Sequence, residues 1–312
     1  MDERAAKTDK MLIEEIKKFS KEIKSKFYFD YDLKKSNWFN IGGKTKVYFK
    51  PETLTDLATF LKKFGKKEKL YILGAGSNTL IKDKTFNGIV VKLNKNFSNI
   101  SMLPNNIIVA GSACTDLKLS KFASDNSVGG LEFLACIPGT IGGGLRMNAG
   151  CFNKEFKDVI VSIQAIDRQG KVITIPANKI LFQYRNSNLP DDLIFLSASF
   201  KGEKKDQGEI EKKVIELKKR KENAQPTKIK TSGSTFKNPV EQTKKKVWEL
   251  IKESVPLDKN FGDACISKKH CNFFVNKSNA SFNDMNKLIE FVKDSVEKKT
   301  GIKLEKEIKI LE

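Results

Sequence analysis

The chain reads as an α+β protein with a two-lobed first domain and a smaller α+β domain behind it. Three observations predict this. From about residue 36 to residue 200, short β-branched runs alternate with turns and only a few helical stretches. Two glycine-rich turns, about sixty residues apart, both leave apolar, strand-like runs. At 312 residues the chain is too long for one ordinary core.

Taken in order, the elements begin with a charged stretch in which Leu12, Ile16, Phe19 and Ile23 fall at helical spacing, predicting an amphipathic helix against the body. The start carries Asp2, Glu3 and Arg4 and no apolar run long enough for a signal-peptide core or a membrane span, so a cytoplasmic protein is expected. Residues 1–35 thus read as a helical extension. Within 36–202, strands are expected at 46–49, 70–73, 88–93, 106–110, Ile160–Ile166 and 171–175, with a helix at Leu54–Phe64. Residues 203–221 are lysine-rich with Ile210, Val214 and Leu217 on one face, and read as a linker helix opening the last domain, 203–312. There Ser281 with Asp284 predicts a capping box, Met285, Leu288, Ile289, Val292 and Val296 an apolar face, and Gly301 the helix stop. The closing IKLEKEIKIL alternates as a strand, Leu304, Lys306 and Ile308 on one side and Glu305, Glu307 and Lys309 on the other. By pattern both glutamates read as an exposed, salt-bridged edge, and the alternative that one faces a site stays open.

Composition excludes more than it assigns. The net charge of +20 is almost all lysine, spread along the whole length. A nucleic-acid binder concentrates Arg and Lys with aromatics on one face, so a solvated basic surface is the better reading, with attraction of nucleotide diphosphates as a secondary effect. The few arginines, Arg4, Arg146, Arg168, Arg185 and Arg220, are then informative. Arg185, in FQYRNSNLP, is placed to present a planar fork to a carboxylate or to pair with an acid at a domain boundary. Cys114, Cys136, Cys151, Cys265 and Cys271 contain no CxxC and fit reduced thiols, and Cys265, His270 and Cys271 lack a fourth ligand for a metal.

Three segments carry chemistry. IPGTIGGGLRMNAG, residues 137–150, holds five glycines whose freedom to take positive φ or to let backbones approach closely suits a diphosphate. It lacks the Lys-Ser/Thr of a P-loop. LGAGSNTLI, around 74–78, offers Gly-x-Gly but has Thr79 at the third glycine position and strand-like sequence after it, so the Rossmann reading fails. Together they suggest one extended dinucleotide gripped from two lobes. QPTKIKTSGSTFKNP, residues 225–239, groups Ser234, Lys237 and Asn238. The absence of a Gly-x-Ser-x-Gly elbow and of an acid to orient His270 argues against a hydrolytic triad, and the other reading is Ser234 as a proton donor that needs a charged neighbour or a water relay.

These segments, in the order IGGKTKVYFKP, LGAGSNTLI, IPGTIGGGLRMNAG, YRNS, GSTFKNP, KVWELIKE, ISKKHCNFFVN and LEKEIKIL, resemble the UDP-N-acetylenolpyruvoylglucosamine reductases over roughly residues 36–312. The resemblance implies a FAD-binding domain of the vanillyl-alcohol oxidase/p-cresol methylhydroxylase type, a substrate domain, tightly but non-covalently bound FAD, and NADPH-dependent reduction of UDP-N-acetylglucosamine enolpyruvate to UDP-N-acetylmuramate. A monomer without nucleic-acid or membrane partners is expected. By the same resemblance Arg185 and Glu307 would hold and polarise the substrate carboxylate and Ser234 would protonate carbon. Gly74, Ala75, Gly76, Ser77, Asn78, Ile137, Pro138, Gly139, Thr140, Gly142, Gly143, Asn148, Ala149 and Gly150 would contact FAD, and Tyr184, Lys237, Asn238 and Asn272 the nucleotide sugar.

The short run from Arg185 to Ser234 resembles the type II subgroup, which lacks a tyrosine-bearing insertion over the substrate. Two departures stand out: Cys151-Phe152-Asn153 follows MNAG in place of Ala-Tyr-Gly, and Gly262-Asp263 replaces Gly-Gly. A flavin oxidase of the same fold would share the glycine segments but has no reason to carry GSTFKNP, KKHCNF and LEKE together. A basic nucleic-acid binder rests on composition alone.

Overall fold

The computed structural model describes residues 3–312, with side chains from residue 10 onward; Asp2, one of the charged residues at the chain start, lies outside them. The helix Glu3–Phe19 sends Ile16 and Phe19 into the first lobe, with Leu12 and Ile23 packed beside them. Helix then gives way to strand. KFYFDYD forms Lys26–Asp32, whose Phe27, Phe29 and Tyr31 turn inward while their neighbours face solvent. That period of two dictates a strand, and Phe27 stacks on Phe49 with ring centroids 4.4 Å apart. Residues 1–35 are therefore not purely helical: their second half is the edge strand of the first sheet.

That sheet has the order Lys26–Asp32, Lys44–Lys50, Phe86–Val91, Leu70–Ile72, antiparallel at the first pair and parallel thereafter. The helix Leu54–Phe64 covers it. Thr53 caps the helix by accepting the Asp56 N–H, and Leu57, Phe60, Leu61 and Phe64 are buried at the i, i+3, i+4, i+7 spacing.

The second lobe is an antiparallel sheet in the order Val172–Pro176, Ile160–Ile166, Ile194–Lys201, Ile107–Gly111, Ile100–Leu103. Ile108, Ile163, Ala198 and Phe200 share a core with Leu119 of the helix Asp116–Asp125 and Leu145 of the helix Ile141–Met147. The helix Gln207–Ala224, expected to open the last domain, instead buries Ile210 and Leu217 and packs on the turn Glu132–Cys136 and on Asp116–Asp125. It braces the second lobe, and the change of partner comes after Ala224.

The last domain packs the helices Val247–Ser254 and Phe282–Thr300 on a small sheet of Asn260–Phe261, Ala264–Ile266 and Phe274–Asn276. Ser281 and Asp284 form a reciprocal capping box, and Gly301 closes the helix at φ 74°. Only Lys309–Leu311 of the closing segment is strand, and it pairs parallel with Thr79–Ile81 of the first lobe. Upstream, Lys306 makes an isolated bridge to Phe236. The chain end is thus threaded between the two domains.

Candidate active site

The strand Leu70–Ile72 delivers the turn 74–78. Gly76 has φ 70°, and a Cβ there would lie 2.3 Å from the Ser36 carbonyl oxygen, so only glycine fits. The Ser77 hydroxyl donates to the Pro138 carbonyl at 2.7 Å, and a Cβ on Gly74 would stand 3.1 Å from Thr140 Oγ1. The two glycine segments, read separately from the sequence, meet across one cleft. At its base the Lys92 ammonium donates to the Gly74 carbonyl, and burial, reinforced by Lys50, pushes its pKa down to about 8.

The second segment is built differently from the loop expected. It leaves the 3-10 turn Glu132–Cys136, not a strand, and its glycine triplet lies inside the helix Ile141–Met147. None of Gly139, Gly142, Gly143, Gly144 or Gly150 has positive φ; Asn148, at φ 40°, ends the helix. Close approach is the reason for the glycines. A Cβ on Gly144 would fall 2.3 Å from Phe156 Cζ, one on Gly150 2.4 Å from the Lys154 carbonyl oxygen, and one on Gly142 3.2 Å from Ser112 Cβ. The Asn148 side chain is buried and turned into the protein. Its amide donates to Glu155 Oε2 at 3.1 Å and to the Gln183 carbonyl at 3.0 Å, and its oxygen accepts the Lys157 N–H. Both amide hydrogens expected for a cofactor therefore go to the fold.

The cleft fits a dinucleotide on its own evidence. Polar side chains around the glycines are buried without partners: Ser112 Oγ and both carboxylate oxygens of Asp116. Asp116 Oδ2 lies where a Cβ on Gly139 would come within 3.2 Å, and burial holds this carboxyl well above the usual range. The sequence signal there, Thr115-Asp116 before LKL, reads only as a helix start, and Thr115 does cap the helix.

Next to the cleft stands Arg185, itself at φ 57°. Its Nε donates to Glu307 Oε1 at 2.9 Å, its Nη2 to the Gly150 carbonyl at 3.3 Å, and its Nη1 lies 3.7 Å from Glu155 Oε1. Of the two readings of Arg185 left open by the sequence, the contacts seen here are those of the pairing with acids at the domain boundary. Burial pushes the Glu307 carboxyl up, against the opposing charges of Arg185 and Lys237. The two C-terminal glutamates part company: Glu305 is exposed and pairs with Lys237 at 2.5 Å, whereas Glu307 turns to Arg185. The Glu307 N–H donates to the Thr235 carbonyl at 2.8 Å, which sets it beside Ser234. The Ser234 hydroxyl has no partner among the described residues, while its backbone is bridged to Phe273.

Of the substrate candidates, Tyr184 and Asn238 are joined, the Asn238 amide donating to the Tyr184 hydroxyl at 3.4 Å, and the Arg185 guanidinium lies 4.9 Å from the Tyr184 ring centroid. Asn272 is placed otherwise. It is buried, its oxygen accepts the Phe236 N–H at 3.0 Å and its amide donates to the Phe236 carbonyl at 2.9 Å. That is a clamp on the strand carrying Ser234, a support and not a contact surface. Sequence reasoning missed Glu155, which steadies Asn148 and Arg185, because nothing in KEFKD marks it as more than a surface acid.

Comparison with known proteins agrees with this layout. Residues 45–176 match the family described as FAD binding domain, and residues 225–311 match the UDP-N-acetylenolpyruvoylglucosamine reductase C-terminal domain. The protein named UDP-N-acetylenolpyruvoylglucosamine reductase in Pelagibacter ubique is 75% identical over 301 residues, spanning 96% of this chain and 100% of that one. The protein of that name in Rickettsia conorii is 43% identical over 287 residues, spanning 92% and 96%. The crystal structure of UDP-N-acetylenolpyruvylglucosamine reductase (MurB) from Thermus caldophilus has a TM-score of 0.79 at 26% identity, covering 93% of this chain and 99% of that one. With identity this high over nearly the full length, and with both domain matches in the order the fold requires, the chain belongs to the UDP-N-acetylenolpyruvoylglucosamine reductase family.

Proposed function

We propose that this protein reduces UDP-N-acetylglucosamine enolpyruvate to UDP-N-acetylmuramate, an oxidoreductase reaction with NADPH as reductant and non-covalently bound FAD as carrier. The observation that carries the reading is the Arg185 guanidinium bonded to Glu307 at 2.9 Å, where the glycine cleft meets the Ser234 strand. When bound, FAD supplies hydride transfer between NADPH and the enolpyruvyl double bond. The residues of this chain do the rest. Gly74, Ala75, Gly76, Ser77 and Asn78 with Ile137, Pro138, Gly139, Thr140, Gly142, Gly143, Ala149 and Gly150 would hold the cofactor.

Arg185, fixed by Glu307 and the Gly150 carbonyl, would bind the substrate carboxylate and stabilise the negative charge that develops on it. A preorganised group of this kind contributes about 3 to 4 kcal/mol. Glu307, whose carboxyl burial pushes up against the pull of Arg185 and Lys237, would polarise the same carboxylate. Ser234, whose hydroxyl has no protein partner among the described residues, would deliver a proton to the adjacent carbon with a charged neighbour or water relay behind it, a role that contributes roughly 100- to 10,000-fold. Lys237, Asn238 and Tyr184 would line the nucleotide-sugar site.

The product class belongs to peptidoglycan precursor synthesis, and with it to cell-wall growth, shape and division. We take the enzyme to be a cytoplasmic monomer, working where the water-soluble NADPH and nucleotide sugar are met. No helix among the described residues is long and apolar enough to cross a membrane. The test is an anaerobic spectrum of the purified protein. The flavin band should bleach with NADPH and return with the enolpyruvyl substrate; bleaching without return would replace the reductase reading by a flavin oxidase acting elsewhere.

A further inference from the structure

One departure from the family pattern has no part in the reaction above. Cys151 opens the hairpin formed by Gly150–Cys151 and Lys154–Glu155, whose turn residues Phe152 and Asn153 both take positive φ, 52° and 63°. That hairpin packs on the turn Glu132–Cys136. Cys136 ends the turn, and its thiol and that of Cys151 lie near enough to influence each other's proton; Cys151 Sγ also contacts the Phe133 carbonyl at 3.3 Å. The two cysteines bracket the segment 137–150 that forms one wall of the cofactor cleft. Over them lies the helix Gln207–Ala224, whose Lys221 ammonium donates to the Cys136 carbonyl and whose Arg220 guanidinium covers the Phe152 ring at 4.7 Å. No disulfide joins them in this structure; both are free thiols.

We propose that Cys136 and Cys151 form a reversible disulfide when the protein meets hydrogen peroxide, a thiol switch that ties together the two ends of the glycine segment. The Cys136 thiolate attacks one peroxide oxygen, the O–O bond breaks, and a sulfenic acid forms with release of the other oxygen as water after protonation. Cys151 then attacks the sulfenic sulfur, the S–O bond breaks, and a second water leaves as the S–S bond forms. Two thiols lose two electrons and two protons, and one hydrogen peroxide becomes two waters. Cys136 is equipped for the first step: the neighbouring Cys151 thiol and the nearby charges of Lys221 and Lys218 bring its pKa down to about 7, while Cys151 is raised and serves as the resolving thiol.

Cys265 is the internal control, since burial raises its pKa. Cys136, pushed down, holds more thiolate near pH 7 than Cys265, pushed up, and the lower nucleophilicity of a more acidic thiol returns only part of that advantage, so Cys136 reacts faster than Cys265. The full-length protein, treated with hydrogen peroxide near pH 7, is alkylated and mapped by mass spectrometry. A linked peptide containing Cys136 and Cys151, released by dithiothreitol, is expected, with Cys114, Cys265 and Cys271 still alkylatable. The Cys151→Ala variant should lose the link and carry Cys136 on to sulfinic acid. Wild-type protein in which Cys136 becomes sulfinic acid without a linked peptide, or reacts no faster than Cys265, overturns the proposal. Neither result depends on the assignment of the substrate.

Discussion

Replacing Glu307 by glutamine separates what the pairing with Arg185 does for stability from what it does for chemistry. At 2.9 Å and an effective dielectric of about 20, the gross attraction between the two charges is about 6 kcal/mol, and taking both ions out of water costs several kcal/mol each. Burial wins at Glu307, because its pKa is displaced upward in spite of Arg185 and Lys237. Its charge is therefore close to neutral or slightly costly for the fold, and the Glu307→Gln amide keeps an oxygen for the Arg185 Nε–H. Unfolding free energy should change by about 1 kcal/mol or less, which for a chain of this size is about 1.5 °C in Tm. The reaction should lose about 3 to 4 kcal/mol of stabilisation, a 100- to 1,000-fold drop in turnover. Thermal denaturation followed by circular dichroism gives the first quantity, and the rate at which the enolpyruvyl substrate reoxidises pre-reduced enzyme gives the second. A fall in Tm above about 10 °C would mean that the ion pair holds the domains together, and turnover within about threefold of wild type would remove Glu307 from the reaction.

Ser234→Ala should leave bleaching by NADPH intact and slow the return of the flavin band by roughly 100- to 10,000-fold; equal slowing of both phases in stopped-flow would indicate a distorted site instead. Gly144→Ala meets the Phe156 ring at 2.3 Å and should cost about 1 to 3 kcal/mol in chemical denaturation, whereas Gly143→Ala, whose Cβ meets only Thr140 Oγ1 at 3.7 Å, should gain up to about 1 kcal/mol and yet retain less FAD on gel filtration. Full FAD retention by Gly143→Ala would take that face of the helix out of the cofactor site. Burial raises the Asp116 carboxyl, so its contribution to stability is present below the ordinary carboxylate pKa, about 3.9, and is lost as pH rises through the raised value. Asp116→Asn has no such loss, and denaturant midpoints measured from about pH 4 to 8 should shift steadily in its favour; a pH-independent difference would show that Asp116 is not held protonated.

What the sequence made legible was local. The helix Leu54–Phe64, the Ser281 and Asp284 capping box and the Gly301 stop all depend on contacts within one helical turn, and these helix boundaries were found as read. The glycine triplet was misread because Gly142, Gly143 and Gly144 have the weakest helix propensity short of proline. What makes them helical is distant in sequence: the Ile141 N–H donates to the Cys114 carbonyl and the Gly142 N–H to the Ser112 carbonyl, and Phe156 leaves no room for a side chain at 144. Likewise KFYFDYD was lost within a charged extension because its partner strand, Lys44–Lys50, lies beyond an intervening turn. In the site, residue types were legible and their orientation was not. Asn148 and Asn272 sit in the expected segments but direct their amides inward, a choice made by Glu155, Gln183 and Phe236.

The closing segment explains why the chemistry sits at this junction. Three consecutive contacts hold it from both sides: the Lys237 N–H donates to the Glu305 carbonyl, the Glu307 N–H to the Thr235 carbonyl, and the Lys309 N–H to the Asn78 carbonyl. The Asn78 amide then returns to the Glu307 carbonyl at 3.1 Å. Residue 307 is thus fixed between the Ser234 strand and the first glycine turn, with its backbone N–H on one domain and its carbonyl on the other. Extended backbone in which Leu304 and Ile308 are buried turns the odd-numbered side chains the other way, and the change from Glu305 in solvent to Glu307 against Arg185 follows from the chain leaving the last domain and entering the cleft between them. A one-residue slip in this segment would point Lys306 at Arg185 and bring two cations together, so the register of the chain end, set by Thr79–Ile81, is itself a condition of the site.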